Sequence, residues 1–580
     1  MKKIFFVALI VIFFYSCTQK EQPVPEEKID RGVVALQVDE THAYVGWRLL
    51  KEDPVDAAFN VYRLRVGDTL YQKVNNEPVA TSTNFMDETV KIGQAYRYRI
   101  KTIVNNSEIE TPGLAYVYMV GKAERELAEP TAYMLNKPYY SIRLKDEVSI
   151  NRIGIGDLNN DGAYDFVIQH PDFNTDPYYR LFYWKRSMEP YTLDAYSSKG
   201  EFLWRYEMGW GIESGTWFAP FIVYDIDGDG YAEIYAKAAE GDSRELDGHV
   251  LEGPEYLVKI DGQTGKIVKR TNWLSKEGFE NYNYWSRNFL VIGYFDGLNP
   301  SLVMQRGTYT VIKIEALNKN FEKQWYFESS GDYKKYRGQG GHAIHTADVN
   351  FDGKDELIPG TFAIGHDGKP LWHLGLGHND VGVVTDINPA RPGMEVFYGI
   401  ESRADKNGVC LVDAATGEII WGYEGKTTHV HGGMAGDIDP DYPGIECYAG
   451  ESKGGDGYFL YSAEGQSLSK ESLGTLSPTT VWWDADDLKE LKIRDKLFKY
   501  KGDTLLTGIE GKVILVADII GDWREEIVTG LPGELRIYST NIPATSRKIC
   551  LMQNRQYRVG VTRSTAGYAA PPQLGLEQKK

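Results

Sequence analysis

The chain has 580 residues, of which 42% are hydrophobic and 13% aromatic, and 82 acidic residues against 64 basic ones leave a net charge of −18. That length exceeds one ordinary core and asks for several domains or a repeat architecture. The acidic balance excludes nucleic acid and anionic membrane surfaces as general partners, and leaves room for bound cations or for a local basic site.

The first seventeen residues have the form of an export signal. Lys2 and Lys3 precede a short apolar run, Ile4 to Tyr15, that ends in Phe14-Tyr-Ser-Cys17. Cys17 is the expected lipidated residue, with residues 18–31 as a polar tether. The expectation is an outer-membrane lipoprotein at the cell surface, touching the membrane only through its lipid, or a secreted protein if Cys17 is not lipidated. Only Cys410, Cys447 and Cys550 remain, too few for a disulfide framework in a chain this large.

Residues 32–121 alternate in short strands such as Ala43-Tyr-Val-Gly-Trp47, Ala58-Phe-Asn-Val-Tyr-Arg63 and Tyr96 to Val104, broken by Gly, Asp and Asn turns. Period-two alternation of this kind predicts a small fibronectin-like β-sandwich. A linker over residues 122–137 follows. The 39 Tyr and 13 Trp suit sugar-stacking clefts and strand-rich folds about equally.

From residue 138 to 577 the chain repeats itself. The full copies are Asp157-Leu-Asn159-Asn-Asp161-Gly-Ala-Tyr-Asp165, Asp225-Ile-Asp227-Gly-Asp229-Gly-Tyr-Ala-Glu233 and Asp348-Val-Asn350-Phe-Asp352-Gly-Lys-Asp-Glu356. Looser copies start at Asp386, at Asp437-Ile-Asp439 and at Asp518, and a degenerate one lies near Asp296. Other tight turns, among them Asp261-Gly-Gln-Thr-Gly265 and Asp413-Ala-Ala-Thr-Gly417, sit between them. Strand, turn, strand and acidic loop in this order predict an all-β protein, a β-propeller of seven or eight blades with eight favoured.

Oxygen ligands at loop positions 1, 3, 5 and 9, with Gly at position 6, suit a hard cation, because alternate side chains converge and Gly permits the sharp turn. The last ligand falls at 9 instead of 12 and strands flank the loop, so it is not an EF-hand. Asp-Gly and Asn-Gly sequences also form plain turns; three full copies favour several calcium ions.

Seven of the ten histidines fall between His342 and His431: His342, His345, His366, His373, His378, His429 and His431. Three Gly-rich segments, ending at His342, centred on His378 and spanning His429 to Gly433, occupy matching places before successive acidic repeats. Blades set around an axis would bring such loops to one shared site.

These residues resemble polysaccharide lyase family 11, the rhamnogalacturonan lyases, from about Arg31 to Gly575. The likeness is carried by Phe59-Asn-Val-Tyr-Arg63, Val223 to Gly230, Gly253-Pro-Glu-Tyr256, Pro300 to Gly307, Trp482-Trp-Asp484, Gly521 to Glu526, Gln556-Tyr-Arg558 and Gly567-Tyr568. The resemblance implies an eight-bladed propeller, structural calcium and β-elimination at a galacturonate linked to rhamnose. It also implies an active-site calcium at His342, His378, Asp380 and Glu401. Three positions depart from the family pattern: Gly432 stands where the family has Arg, Glu510 (with Lys512 close by) where it has Lys, and Trp217-Phe218 where it has His-Tyr.

β-Elimination needs the uronate carboxylate neutralised, a base for the C5 proton and an acid for the leaving oxygen. Calcium or Arg306 is expected to neutralise the carboxylate. His429 or His431 is the expected base, and Tyr309 or a second histidine the acid. His342, His378 and Tyr568 are expected to contact substrate, since histidine is an unusual calcium ligand. The expected partner is an anionic rhamnose–uronate polysaccharide, of rhamnogalacturonan or ulvan type, cut by a monomer. A non-catalytic glycan-binding propeller and a rhamnosidase-type hydrolase are the rival readings.

Overall fold

The computed structural model describes residues 27–122, 137–178, 183–453, 457–568 and 570–576. The signal segment, most of the tether and nearly all of the linker lie outside the described residues. The fold is all-β, as expected, and among the described residues the α-helices Tyr282–Trp285 and Arg555–Thr562 are both short. Among the described residues no helix is long and apolar enough to cross a membrane.

The N-terminal part has two sheets, a three-stranded one (Val34–Gln37, Ala43–Gly46, Asn84–Asp87) and a five-stranded one built on Ala58–Arg65 and Ala95–Val104. Alternate residues of Ala95–Val104 are buried, and Tyr96, Tyr98 and Ile100 meet Trp47 and Phe59 in one core. The period of two read from the sequence is the face that is buried.

Eight four-stranded antiparallel groups follow. Their first strands are Arg152–Gly156, Phe221–Tyr224, Asn288–Gly293, Gly340–Ala347, Asn379–Thr385, Val430–Gly436, Thr479–Val481 and Lys512–Ala517. The fourth and fifth groups share one sheet through a parallel pairing of Gly341 with Asn379. The eighth is completed by Tyr139–Arg143, the first strand after the linker, which pairs with Glu534–Tyr538. Successive first strands touch from the first group to the seventh, and the first strand of the eighth group touches that of the first. Helix Arg555–Thr562 packs on the first strands of five groups (one to four and eight).

One tryptophan contact ties neighbouring groups together. Trp204, Trp325, Trp372 and Trp421 each lie against the turn glycine of the next group: Gly265, Gly368, Gly417 and Gly465. All four glycines have positive φ, and a β-carbon there would meet tryptophan side-chain atoms at 2.6–2.8 Å, so only Gly permits the contact. The indole N–H groups of Trp204, Trp372 and Trp421 donate to backbone carbonyls of the same neighbour.

In every group the acidic loop joins the first strand to the second. Gly162, Gly230 and Gly353, at loop position 6, have φ of 86°, 92° and 88°, which explains the glycine in all three full copies. The acidic residue at the loop's end turns back to accept the N–H of the second loop residue: Asp165 from Leu158, Glu356 from Val349, Glu395 from Ile387, Glu446 from Ile438 and Glu526 from Ile519. A seventh acidic loop, which the sequence reading did not count, does the same: Glu490 accepts from Trp483, with Asp484 and Asp486 beside it. Trp482 at position 1 disguised it. In the third group Asp296 remains, but Ser301 stands at the far end.

The N-terminal sheets dock on the eighth acidic loop. Tyr44 donates to Asp522 at 2.8 Å, Arg524 donates to both, and Arg48 reaches the Ile519 carbonyl.

Candidate functional site

The histidines gather at the opposite end of the first strands from the acidic loops. His342, Asp380 and His431 occupy matching places near the starts of three successive first strands. The pairing register shifts there in all three, between Gly340 and His345, Asn379 and Val381, and Val430 and Gly432. A bulge re-aims a side chain that regular alternation would point elsewhere.

Asp380 is the hub. Its Oδ2 accepts from His431 Nδ1 at 2.6 Å, while its Oδ1 lies 3.3 Å from His378 Nε2 and 3.7 Å from His342 Nε2. Glu401 closes the other side, 3.4 Å from His378 Nε2 and 3.5 Å from His429 Nδ1. Its own N–H donates to the His378 carbonyl. Tyr309 hydroxyl and His342 Nε2 are 3.0 Å apart, and the Tyr309 ring lies 4.2 Å from that of His378. The Trp217 ring is 4.2 Å from His342 and 5.2 Å from Tyr568, and Tyr568 stands 5.7 Å from His431.

Burial, and then the neighbouring His378, push His342 well below the ordinary histidine range. Burial lowers His429 as well, against the pull of Glu401. His431 goes the other way, raised by its hydrogen bond to Asp380. Burial alone would raise Asp380, but the close imidazole of His378, the hydrogen bond from His431 and the charge of His342 hold it far below the usual carboxylate range.

His378 Nε2, Asp380 Oδ1 and His342 Nδ1 are buried without a hydrogen-bond partner. The ligand atoms of His342, His378 and Asp380 converge within 4.8 Å, as do those of Asp380, His429 and His431. Two orphaned polar atoms facing each other in a buried set fit a cation held between them. A cavity of about 390 Å³ opens beside Asp380 and His431, lined also by Arg152, Gly433, Thr479 and Tyr568.

The remaining residues singled out in the sequence fall elsewhere. Arg306 is completely buried, ion-paired with Glu255 and donating to the Trp285 carbonyl; the structure does not bring it to the histidines. Arg287, which the sequence reading passed over, lies over the Trp217 and Tyr309 rings and is held by Asp176 at 2.8 and 2.9 Å. No local motif marks Asp176, which sits in a long loop. His345 bonds the Gly382 carbonyl, His373 packs on Tyr336, and His366 stands beside Asp352 and Glu356 of an acidic loop. Gly432 has no room for a larger side chain, since a β-carbon would meet Ser477 Oγ at 2.5 Å. Glu510 pairs with Arg536.

Within the acidic loops, Asp157 accepts three backbone N–H groups, including that of Asp161, and Asn159 accepts from Asp161. Asp225, Asp227 and Asp229 converge, with Lys259 bridging Asp227 and Glu233. Asp348 accepts from Gly353, and Asn350 donates to Glu356. Asp439 is paired with Lys501. Burial pushes Asp225 and Asp437 up to about 6, Asp165 and Glu233 to about 7 and Glu356 to about 8.

Residues 144–577 match the family model described as "Rhamnogalacturonan lyase family 11, C-terminal domain", and residues 25–118 match "Rhamnogalacturonan I lyases beta-sheet domain". Rhamnogalacturonan endolyase YesW of Bacillus subtilis (strain 168) is 36% identical, with 94% of this chain and 90% of that protein covered. Rhamnogalacturonan exolyase YesX of the same organism is 32% identical, with 96% of each covered. The solved structure of Bacillus licheniformis Rhamnogalacturonan Lyase PL11 superposes with a TM-score of 0.83 at 32% identity, over 96% of this chain and 97% of that one.

Proposed function

The chain belongs to rhamnogalacturonan lyase family 11, and from that premise we propose that it cleaves the rhamnogalacturonan backbone by β-elimination at the Asp380–histidine cluster. The observation that carries this is the family match over nearly the whole chain. Release of ultraviolet-absorbing unsaturated oligosaccharide from rhamnogalacturonan is the test. Release of saturated ends would point to hydrolysis, and no release at all to a glycan-binding protein. That last reading draws on Gly432 and Glu510, where the family pattern is broken.

On our reading the eight four-stranded groups are blades of a propeller and the two N-terminal sheets a fibronectin-like sandwich. The ring of touching first strands and the borrowed strand Tyr139–Arg143 support this.

His431 is the base. Asp380 holds its Nδ1 at 2.6 Å, which fixes the ring and leaves Nε2 for the C5 proton, and its side chain is 40% exposed at the cavity. The Asp380 carboxylate then stabilises the imidazolium that forms. Tyr309, whose hydroxyl burial keeps protonated beside His342, is the proton donor to the leaving oxygen. Tyr568, 36% exposed beside the cavity, offers a face for the sugar, with the buried Trp217 packed behind it and Arg287 buried against Trp217. His342, His378, Asp380 and Glu401 would hold a calcium ion, which would draw charge from the uronate carboxylate and so make the C5 proton more acidic.

The acidic loops are proposed calcium sites with a structural role. Buried carboxylates that carry raised pKa values need a compensating cation to stay ionised. Export with lipidation at Cys17 is likewise proposed, on the strength of the N-terminal segment alone. A Cys17→Ala variant is expected to leave the membrane fraction.

A further inference from the structure

A second cavity, of about 520 Å³, lies beside the catalytic one between the seventh and eighth groups; the two share Ser477, Thr479 and Val513. Its lining is cationic for an acidic protein: Lys492, Arg494 and Lys512 against the single carboxylate Asp495. The three cations are not equivalent. Lys512 is already committed, 2.6 Å from Asp172 and 3.3 Å from the Asn151 carbonyl. Lys492 sits in strand Glu490–Ile493, paired in register with Thr479, and is 8% exposed. Among the described residues its ammonium makes no hydrogen bond or ion pair, and Asp495 acts on it only as a more distant charge.

The stem of Lys492 is buried while its ammonium reaches the cavity, where a cation without a protein acceptor is open to an anion. The more deeply buried lysines of this protein follow a rule of pairing: Lys237, 2% exposed, is paired with Glu255, and Lys489, 3% exposed, with Glu525. Lys492 is a departure from it, and it faces a groove that runs directly into the catalytic cavity.

We infer that Lys492 is the carboxylate-binding residue of a second sugar subsite, which grips a uronate further along the same anionic chain. This rests on the lyase reading, because the ligand is the substrate's own backbone. An alternating uronate polymer offers carboxylates at regular intervals, so one at the histidine cluster and another at Lys492 would set its register. A charge-assisted hydrogen bond to a carboxylate is also the strong kind.

The test compares binding of two probes to the full-length protein: rhamnogalacturonan backbone, and the same polymer with its carboxylates reduced to alcohols. Lys492→Met is expected to weaken binding of the native polymer about tenfold, the effect of losing one hydrogen bond to a charged group. It should leave binding of the reduced polymer unchanged, and Lys492→Arg should recover part of the loss. Lys496→Met, on the neighbouring strand and exposed, is the control. Unchanged binding of native polymer by Lys492→Met, while the wild type binds and cleaves it, overturns the subsite and leaves the lyase reading intact. Equal losses for both polymers would mean a structural role and also overturn it. If the wild type binds neither polymer, both readings fall together. Thermal melting checks that the variant folds, and Lys492→Gln replaces it if the methionine does not.

Discussion

Carboxylates stand at both ends of the first strands, the acidic loops at one and Asp380 at the other, and the two ends behave in opposite ways. At the acidic loops Asp165, Glu356 and Glu446 each face backbone N–H groups and the other carboxylates of their own loop, so burial dominates and their pKa values rise to about 7, 8 and 7. At the histidine end Asp380 is just as buried, yet it is surrounded by three imidazoles and stays ionised. His342 lies in strand Gly340–Ala347 and Asp348 just past its end, about 20 Å away at the usual rise per residue. The lesson is that one repeat serves two purposes. The loop end is nearly the same in seven of eight groups because it folds the backbone, whereas the other end, where the chemistry is proposed to occur, differs from group to group.

The sharpest way to break that comparison is to exchange the effects. His431→Ala is expected to cost about a hundredfold or more in kcat/KM, the scale of a general base, with the melting temperature unmoved because the side chain is partly exposed. Initial rates of unsaturated product check it. A lost melting temperature with an intact rate would erase the distinction between the ends.

Chelation should act on the loop end. Removing calcium from several sites at once is expected to lower the melting temperature by on the order of 10 °C, since each site's contribution grows with the logarithm of free calcium over its Kd. Added calcium should restore it. An unmoved curve at long incubation in chelator would remove calcium from the loops.

A single loop is the finer probe. Glu446 is fully buried and accepts N–H groups from Ile438 and Asp439, both at 2.9 Å. Glu446→Ala leaves two buried donors unpaired, so the melting temperature should fall by several degrees, about 2–4 °C per kcal/mol lost. The rate well below that temperature should stay within about twofold, inside ordinary surface-mutation scatter.

The smallest effect belongs to a histidine outside both ends. His249 stacks on Trp184 at 3.7 Å, beside Tyr282 and Asp247, with no contact to the cluster. His249→Ala is expected to leave kcat/KM within about twofold, as substitutions away from a site usually do. A loss approaching that of His431→Ala would mean that the site extends across that wall.

The sequence by itself determined what short-range chemistry dictates. Loop copies with ligands at 1, 3, 5 and 9 and glycine at 6 were legible because all their groups lie within nine residues, and the glycine answers a local need for positive φ. The alternation of Tyr96 to Val104 was legible for the same reason. The seventh loop was missed at Trp482, where the copy begins without its acid. Tertiary structure decided the rest. Only four of the seven clustered histidines, His342, His378, His429 and His431, meet, because register shifts at three strand starts turn these side chains inward while His345, His366 and His373 find other partners. Arg306 and Arg287 are both plausible on sequence. Glu255, 51 residues away, claims the first, and Asp176, 111 residues away, holds the second beside Tyr309. A charge's role depends on the partner that packing supplies, and no local pattern names a partner so distant along the chain.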